Sequence, residues 1–396
     1  MSRSLVRIGA GEPSRLLVSI AAALDGTGAA VQPLDEGASP LSVADAAPAS
    51  ESVPDEVAVV IATSGSSGYP KRVALSADAL LGSARATESA LGGPGRWVLA
   101  MPAHYVAGVQ VLVRSIVAGS EPVSVGPFSE ERFARAVDTA ATGADRRYTA
   151  LVPAQLARLL SDPAGSEALA SLDAVIVGGQ AVPLLLRDRA EAAGVRLVRS
   201  YGSSETAGGC VYDGRPLDGV DVRVADGEIE IGGATLALGY LGDDARTAAA
   251  FSEDGGRRWF RTGDAGAFED GVLDVFGRLD NVIVSGGVNV SLDRVEAAVR
   301  DLPGLGDAVV VGVDDDRWGA VPIVVVDRRS RSADEGAVSL DEVRSRIGER
   351  LGVAARPRQI VPVETVPLLA SGKPDRIAVA RIVAGADPSA TGPIGA

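Results

Sequence analysis

The sequence predicts an α/β protein in two parts: a large N-terminal α/β domain carrying a β-rich subdomain, and a small α+β C-terminal domain. Three observations predict it. Residues 57–200 alternate short apolar, β-branched runs with helix-period segments, the pattern of a largely parallel sheet flanked by helices. Residues 219–276 change to short apolar runs parted by Gly and Asp-Gly turns, as in a smaller β-rich subdomain. From Asn281 onward a helix, two strands and a second helix follow. The expected domains are therefore 1–280 and 281–396.

Within the first part, residues 1–56 read as a short preamble, with a helix over 16–24 and a small-residue connector over 37–54. Residues 57–62 form an uninterrupted apolar run and read as a buried strand, followed by a polar glycine loop from Thr63 to Lys71. Ser76 is placed to cap a helix over 77–91. Strands over 97–101, 123–125, 149–152, 174–177 and 195–200 then alternate with helices over 109–118, 128–141, 154–160 and 183–193. Pro183 sits in the first turn of the last of these, where a missing amide hydrogen does no harm. In the second part we expect a helix over 292–300, strands over 308–313 and 321–326, and a helix over 340–351. Ser339 and Glu342 are spaced as a capping box at the start of that last helix. Residues after Ala384 are small and contain Pro and Gly, and are expected to be disordered.

Composition narrows the function. With 396 residues and 46% hydrophobic content the chain can bury a substantial core, and no apolar run approaches the roughly 20 residues that span a bilayer. Met1 to Ala10 lacks the charged start, apolar stretch and small-residue cleavage site of a signal peptide. One cysteine, Cys210, rules out an intramolecular disulfide framework and fits a reducing compartment, so the cytoplasm is expected. A net charge of −14 argues against a nucleic-acid partner, because phosphate-backbone binding rests on clustered cations. It does not argue against a small phosphate ligand held by a local site. A single histidine, His104, and a single cysteine cannot make a His/Cys zinc cluster.

Of 38 lysine and arginine residues only two are lysine, Lys71 and Lys373, and both lie in glycine-containing motifs. A lysine ammonium is a compact point charge that reaches a phosphate or carboxylate oxygen where a planar guanidinium would not fit. Lys71 ends Thr63-Ser64-Gly65-Ser66-Ser67-Gly68-Tyr69-Pro70-Lys71, which packs hydroxyls and glycine amides into a loop between a buried strand and a helix. Glycines let backbone amides approach a phosphate, and hydroxyls add donors. The loop is not the Walker pattern, since Lys71 follows Pro70 and no Ser or Thr follows it.

This nine-residue stretch resembles the signature of the adenylate-forming enzymes: acyl-CoA ligases, luciferases and peptide-synthetase adenylation domains. Four further blocks occur in that family's order. They are Tyr201-Gly202-Ser203-Ser204-Glu205-Thr206, Arg261-Thr262-Gly263-Asp264, Gly277-Arg278-Leu279-Asp280-Asn281 with Ser285-Gly286-Gly287, and Ser371-Gly372-Lys373. The resemblance implies ATP, Mg2+ and CoA as ligands and a small mobile C-terminal lid that rotates between two half-reactions. It implies ATP contacts from Thr63, Ser64, Gly65, Ser66, Ser67, Gly68 and Lys71, with Lys71 over the pyrophosphate end. Gly178, Gly179 and Gln180 would line the adenine side, together with Tyr201, Gly202, Ser203, Ser204 and Thr206. Glu205 would hold the metal, Asp264 the ribose hydroxyls, and Arg278 the ribose or a phosphate. Asp280 would be the hinge, Gly286 and Gly287 the channel for the thiol arm of CoA. Lys373 would be the catalytic lysine, placing positive charge where a carboxylate meets the α-phosphate. Arg72 departs from the pattern, standing where many relatives have Gly, and is expected to alter the mobility of the phosphate loop.

About 60 residues precede the phosphate loop, a compaction that resembles the o-succinylbenzoate–CoA ligases of menaquinone biosynthesis in their short form. The stretch Pro102-Ala103-His104-Tyr105-Val106-Ala107-Gly108 with Arg114 resembles the aromatic-substrate block of those enzymes. His104, Tyr105, Gly202 and Arg114 are accordingly the expected acid-binding residues. Their acid has two carboxylates, one to be activated and one needing a charge partner, the role expected of Arg114. A CoA ligase for another aryl or acyl acid is the alternative, as is an adenylation protein loading a carrier protein. The latter would carry an acidic residue near 102–106 to hold an α-ammonium, and none is there. Partners are thus the acid, ATP and CoA, with a homodimer left open.

Overall fold

The structure is a computed structural model that describes residues 1–35, 51–63, 71–143, 146–328, 338–368 and 374–385. It divides into two compact units. The first comprises Met1–Val182, Arg189–Thr262 and Phe268–Asp274; the second comprises Pro183–Asp188, Gly263–Ala267 and Val275–Ala396. The first unit is α/β and the second α+β, as expected from the sequence. No helix among the described residues is long and apolar enough to cross a membrane.

The first unit contains three sheets. Its seven-stranded sheet runs, edge to edge, Arg215–Pro216, Gly208–Tyr212, Leu197–Ser203, Ala174–Val177, Arg147–Leu151, Arg96–Leu99 and Val123–Ser124. The last five strands are parallel, so their C-terminal ends share one edge. Three of the intervening helices begin at a side chain that accepts from an orphan amide: Ser76, Ser129 and Asp162, ahead of Ala77–Leu91, Glu130–Ala140 and Pro163–Ala170. Ser76 Oγ accepts from the Ala79 amide and Gly92 takes a left-handed conformation, which fixes the helix Ala77–Leu91 at both ends as expected.

The preamble expectation is corrected. Ser2–Gly9 and Ala30–Leu34 are parallel neighbours joined by the helix Pro13–Leu24, which buries Leu16, Ile20 and Ala23. Glu51–Pro54, placed in the connector, pairs antiparallel with Ser2–Leu5. Together with Val57–Thr63, Lys71–Ser76 and Gly239–Tyr240 these make a six-stranded sheet. The signal was weak because Leu5 and Ile8 are the buried residues of the first strand, three apart, which breaks the period of two. Residues 36–50 of the expected connector lie outside the described residues.

A third sheet orders Val220–Ala225, Glu228–Gly233, Arg257–Glu269 and Phe251–Asp254, the β-rich part read from its turns. In the second unit the sheet order is Val288–Ser291, Val282–Ser285, Gly319–Asp327 and Val309–Asp315, with Gln359–Val363 parallel to Gly319–Asp327. Strand alternation assigns its two faces. Val310, Val324 and Val326 pack with Val295, Val299, Val343 and Ile347 of the helices Leu292–Arg300 and Leu340–Leu351. Val309, Val311, Ile323 and Val325 pack with Val379 and Val383 of the helix Arg376–Gly385. Only half of the expected capping box forms, with Ser339 Oγ accepting from the Glu342 amide. The tail beyond 385, expected to be disordered, lies outside the described residues.

Candidate active site

In the first unit residues 178–180 and 201–206 lie at the C-terminal edge of the parallel strands, the usual position for ligands in open α/β sheets. Gly178, Gly179 and Gln180 follow the strand Ala174–Val177, and Gly178 lies against the backbone of Ser200 on the neighbouring strand. That neighbour, Leu197–Ser203, runs into a single 3₁₀ turn, Ser204–Thr206, and returns as Gly208–Tyr212. The register shifts between Tyr201 and Gly202. At Gly202, with φ +155°, an added Cβ would collide with the Gly208 carbonyl, so the return is possible only with glycine.

Short polar bonds lock the turn. Ser203 Oγ accepts from the Glu205 amide at 3.2 Å, and Thr206 Oγ1 accepts from the Ser203 amide at 2.9 Å. Thr206 in turn donates to the Gly208 carbonyl at 2.8 Å. Ala207 sits at φ +52°, a left-handed conformation uncommon for a residue with a Cβ. Its carbonyl accepts from Gln110 Nε2 at 2.7 Å and from Ser83 Oγ at 3.2 Å, both buried. These two anchors were not anticipated; the available signal was a glutamine within an apolar helix run.

Glu205 is 9% exposed. Its Oε1 accepts from the Tyr240 hydroxyl at 2.9 Å, and no basic side chain pairs with it among the described residues. Burial, and then the charge of Glu205, push the Tyr240 phenol well above its ordinary value, so it remains a neutral donor. Lys71 Nζ stands 5.5 Å from the centre of the same ring. Thr63 and Lys71 face each other across a hairpin, so the phosphate loop is closed at its base by strand pairing. Ser64, Gly65, Ser66, Ser67 and Gly68 lie outside the described residues, as does Lys373. Arg72 is tied to Glu51 by two bonds of 2.7 and 2.8 Å, and Glu51 also pairs with Arg7 at 2.7 Å.

His104 and Tyr105 follow the strand Arg96–Leu99, and Tyr105 precedes the helix Val106–Val117. Their rings are 4.0 Å apart between centroids. Burial lowers the His104 pKa against the opposing charge of Asp35, and its buried Nδ1 has no partner among the described residues. Arg114, on the same helix, is buried; its guanidinium lies 4.9 Å from the Trp97 ring and donates to the Tyr212 hydroxyl at 3.2 Å. Its Nε has no partner and no carboxylate pairs with it among the described residues. The space beside it measures about 10 Å3, room for no more than a water. Cys210 is buried, which pushes its thiol up to about 12 and leaves it inert.

In the second unit Arg278 reaches Asp280 at 3.0 Å and Asp264 at 3.3 Å, while its amide donates to Asp293 at 2.7 Å. Gly286 and Gly287 form the turn between the strands Val282–Ser285 and Val288–Ser291, both with positive φ. The Trp318 indole covers Gly286, leaving no room for a side chain, whereas Gly287 is open. A cavity of about 470 Å3 in this unit lies between Arg376–Gly385 and Val309–Asp315; it contains none of the expected site residues.

Comparison with known proteins places these observations. The family described as AMP-binding enzyme matches residues 9–241, and its C-terminal domain family matches residues 294–373. A probable 2-succinylbenzoate–CoA ligase of Mycobacterium tuberculosis is 46% identical over 344 residues, covering 85% of this chain and 87% of that protein. The 2-succinylbenzoate–CoA ligase of Salmonella typhimurium is 31% identical over 291 residues, covering 71% of this chain and 60% of that protein. Among solved structures, the amide bond synthetase McbA of Marinactinospora thermotolerans aligns with a TM-score of 0.74 at 26% identity, covering 96% of this chain and 80% of that one. The o-succinylbenzoate CoA synthetase of Bacillus subtilis, in complex with its acyl-adenylate intermediate, aligns with a TM-score of 0.69 at 25% identity, covering 88% and 74%.

Proposed function

This chain belongs to the AMP-binding enzyme family, and on that footing we propose that it joins o-succinylbenzoate to CoA in two ATP-driven steps, for menaquinone biosynthesis in the cytoplasm. In the first step a carboxylate oxygen attacks the α-phosphorus, the bond to the bridging oxygen breaks, and acyl-AMP and pyrophosphate form. In the second the CoA sulfur, having lost its proton, attacks the acyl carbon and AMP departs. The observation that carries the acid is the 46% identity to a probable 2-succinylbenzoate–CoA ligase over nearly the whole of both chains.

The residue roles follow the family pattern. Lys71, at the base of the phosphate loop, would bind the pyrophosphate end; Gly178, Gly179 and Gln180 with the turn from Tyr201 to Thr206 would frame adenine and the α-phosphate. Asp264 and Arg278 would serve the ribose, Asp280 the hinge, Gly286 and Gly287 the thiol arm, and Lys373 the developing charge of the first step. Glu205 fits a hard cation: it is a buried carboxylate whose partner is a neutral hydroxyl. No cluster of three His, Cys, Asp or Glu side chains able to hold a metal occurs among the described residues, so nucleotide phosphates and water would complete the shell. Bound there, Mg2+ would neutralise the phosphate oxygens as charge builds up. Arg114 would be the counter-charge for the second carboxylate, which requires its guanidinium to leave the indole face.

The test is AMP release with ATP, Mg2+ and CoA against o-succinylbenzoate, benzoate, a medium-chain fatty acid and several amino acids, with mass detection of the product. A thioester formed from o-succinylbenzoate alone is the expected result. Turnover of another acid would discard the substrate and keep the chemistry. AMP formation without CoA dependence would point to a different acceptor.

A further inference from the structure

Glu205, in the 3₁₀ turn Ser204–Thr206, and Lys71, at the start of a strand, lie 134 positions apart in the numbering, yet one short segment touches both. Residues 237–241 are stitched to the Glu205 turn on one side, where the Ala237 amide donates to the Glu205 carbonyl at 2.8 Å. On the other side the Leu238 and Leu241 amides donate to Ala74 and Arg72, each at 2.8 Å, along the strand that begins with Lys71. Tyr240 occupies the middle of this splice. It is 5% exposed, its hydroxyl is bonded to Glu205, and its ring faces the Lys71 ammonium. Its own backbone is held by the Thr247 hydroxyl, which accepts from the Tyr240 amide at 2.9 Å, and its ring packs against Phe251.

We propose that Tyr240 is a positioning residue that sets the spacing and orientation of the metal-binding carboxylate and the pyrophosphate lysine, and so the affinity for metal-bound ATP. This rests on the roles given to Glu205 and Lys71 above. The hydroxyl fixes one oxygen of Glu205, so the remaining lone pairs point in a set direction before any cation arrives. A buried carboxylate without that bond would be free to rotate and would lose a donor that stabilises its charge. The ring meanwhile offers its negative face to Lys71, holding the ammonium near the carboxylate without the ion pair that would neutralise both. A neutral donor and a π face thus keep two opposite charges close yet available to phosphate and metal.

Tyr240→Phe removes only the hydroxyl and keeps the ring on Phe251. Calorimetric titration, without acid so that no turnover occurs, compares ATP with Mg2+ against AMP. The expected result is about a tenfold weaker affinity for Mg2+·ATP, the size of one hydrogen bond to a charged group, with AMP binding unchanged. Glu205→Gln should weaken Mg2+·ATP at least as much, and the double variant should be no worse than Glu205→Gln alone. Thr247→Val, which loosens the Tyr240 backbone instead, should shift Mg2+·ATP in the same direction by a few-fold and serves should Tyr240→Phe fold poorly. Wild-type Mg2+·ATP affinity in Tyr240→Phe, with Glu205→Gln weakened, would overturn this proposal and leave the metal assignment standing. Equal weakening of AMP would also overturn it, as a general disturbance of the pocket. If Glu205→Gln bound Mg2+·ATP normally, the metal assignment and this proposal would both fall.

Discussion

Glu205 and Arg278 are both charged groups assigned to nucleotide handling, but the first is buried within a backbone-locked turn and the second is half exposed among carboxylates. Every residue from Gly202 to Gly208 is pinned by short bonds, by a glycine that admits no side chain, or by anchors under Ala207. Arg278 is instead shared between Asp264 and Asp280 through solvent-exposed ion pairs, of the kind worth about 0–1 kcal/mol each. The first region is built to be right before the ligand comes. The second is suited to exchanging partners, since on the proposed role a ribose at Asp264 would compete with a contact that is cheap to give up. On the proposed mechanism that division makes sense: the turn serves one fixed task, whereas the hinge block serves two half-reactions.

The comparison can be broken or sharpened by substitution. The largest effect is expected at Lys373: Lys373→Ala should slow adenylation by about 100-fold or more, while thioester formation from supplied acyl-adenylate survives. Single-turnover assays of the two half-reactions separate these, and equal loss in both would remove Lys373 from the first step. Next comes Arg114→Met, expected to raise KM for o-succinylbenzoate about tenfold or more while leaving the ATP KM alone. An unchanged KM for the acid would make Arg114 a core residue held by Trp97 and Tyr212. Gly202→Ala tests the rigidity of the first region; the clash with Gly208 should lower stability by about 2 kcal/mol and weaken AMP binding, read by chemical denaturation and by titration.

Asp280→Ala probes the second region and should change stability by less than about 0.5 kcal/mol, because the pair it breaks is exposed. A large loss on denaturation would mean that the hinge block is as rigid as the turn. Arg72→Gly is read instead in the pH dependence of stability. Arg72, more than Arg7, holds the Glu51 carboxyl below its ordinary value of 4.5. A carboxylate depressed in the folded state adds stability that is present above 4.5 and lost as pH falls through the folded-state value. Arg72→Gly should therefore reduce stability above that range and flatten its fall below pH 4.5, as followed by denaturation across pH.

The sequence conveyed the elements whose ends are chemically marked. Ser76 and Gly92 bound one helix, and Leu292–Arg300 and Leu340–Leu351 begin after serines that cap them, so their limits were readable. The strand Ala174–Val177 was legible as a buried run ending in two glycines. The strand Lys71–Ser76 was not, because its polar start reads as part of the loop and only pairing with Val57–Thr63 makes it extended. The motif block singled out Glu205 but not Tyr240, since nothing local says that a Gly-Tyr pair 35 residues later returns to that carboxylate. The same holds for Gln110 and Ser83 under Ala207: tertiary hydrogen bonds leave no periodic trace. Arg114 was read as the charge partner of a second carboxylate, whereas its contact with Trp97 is visible only in three dimensions.

The indole over Gly286 makes the molecule its own optical instrument. The chain has three tryptophans: Trp97 is buried beside Arg114, Trp259 lies 4.1 Å under the Arg223 guanidinium, and Trp318 rests on the glycine turn assigned to the thiol arm. Replacing the first two with phenylalanine leaves one fluorophore at that turn. If the thiol arm enters there as proposed, its emission colour would follow the polarity around Gly286 as CoA arrives, timing the second half-reaction without any attached dye.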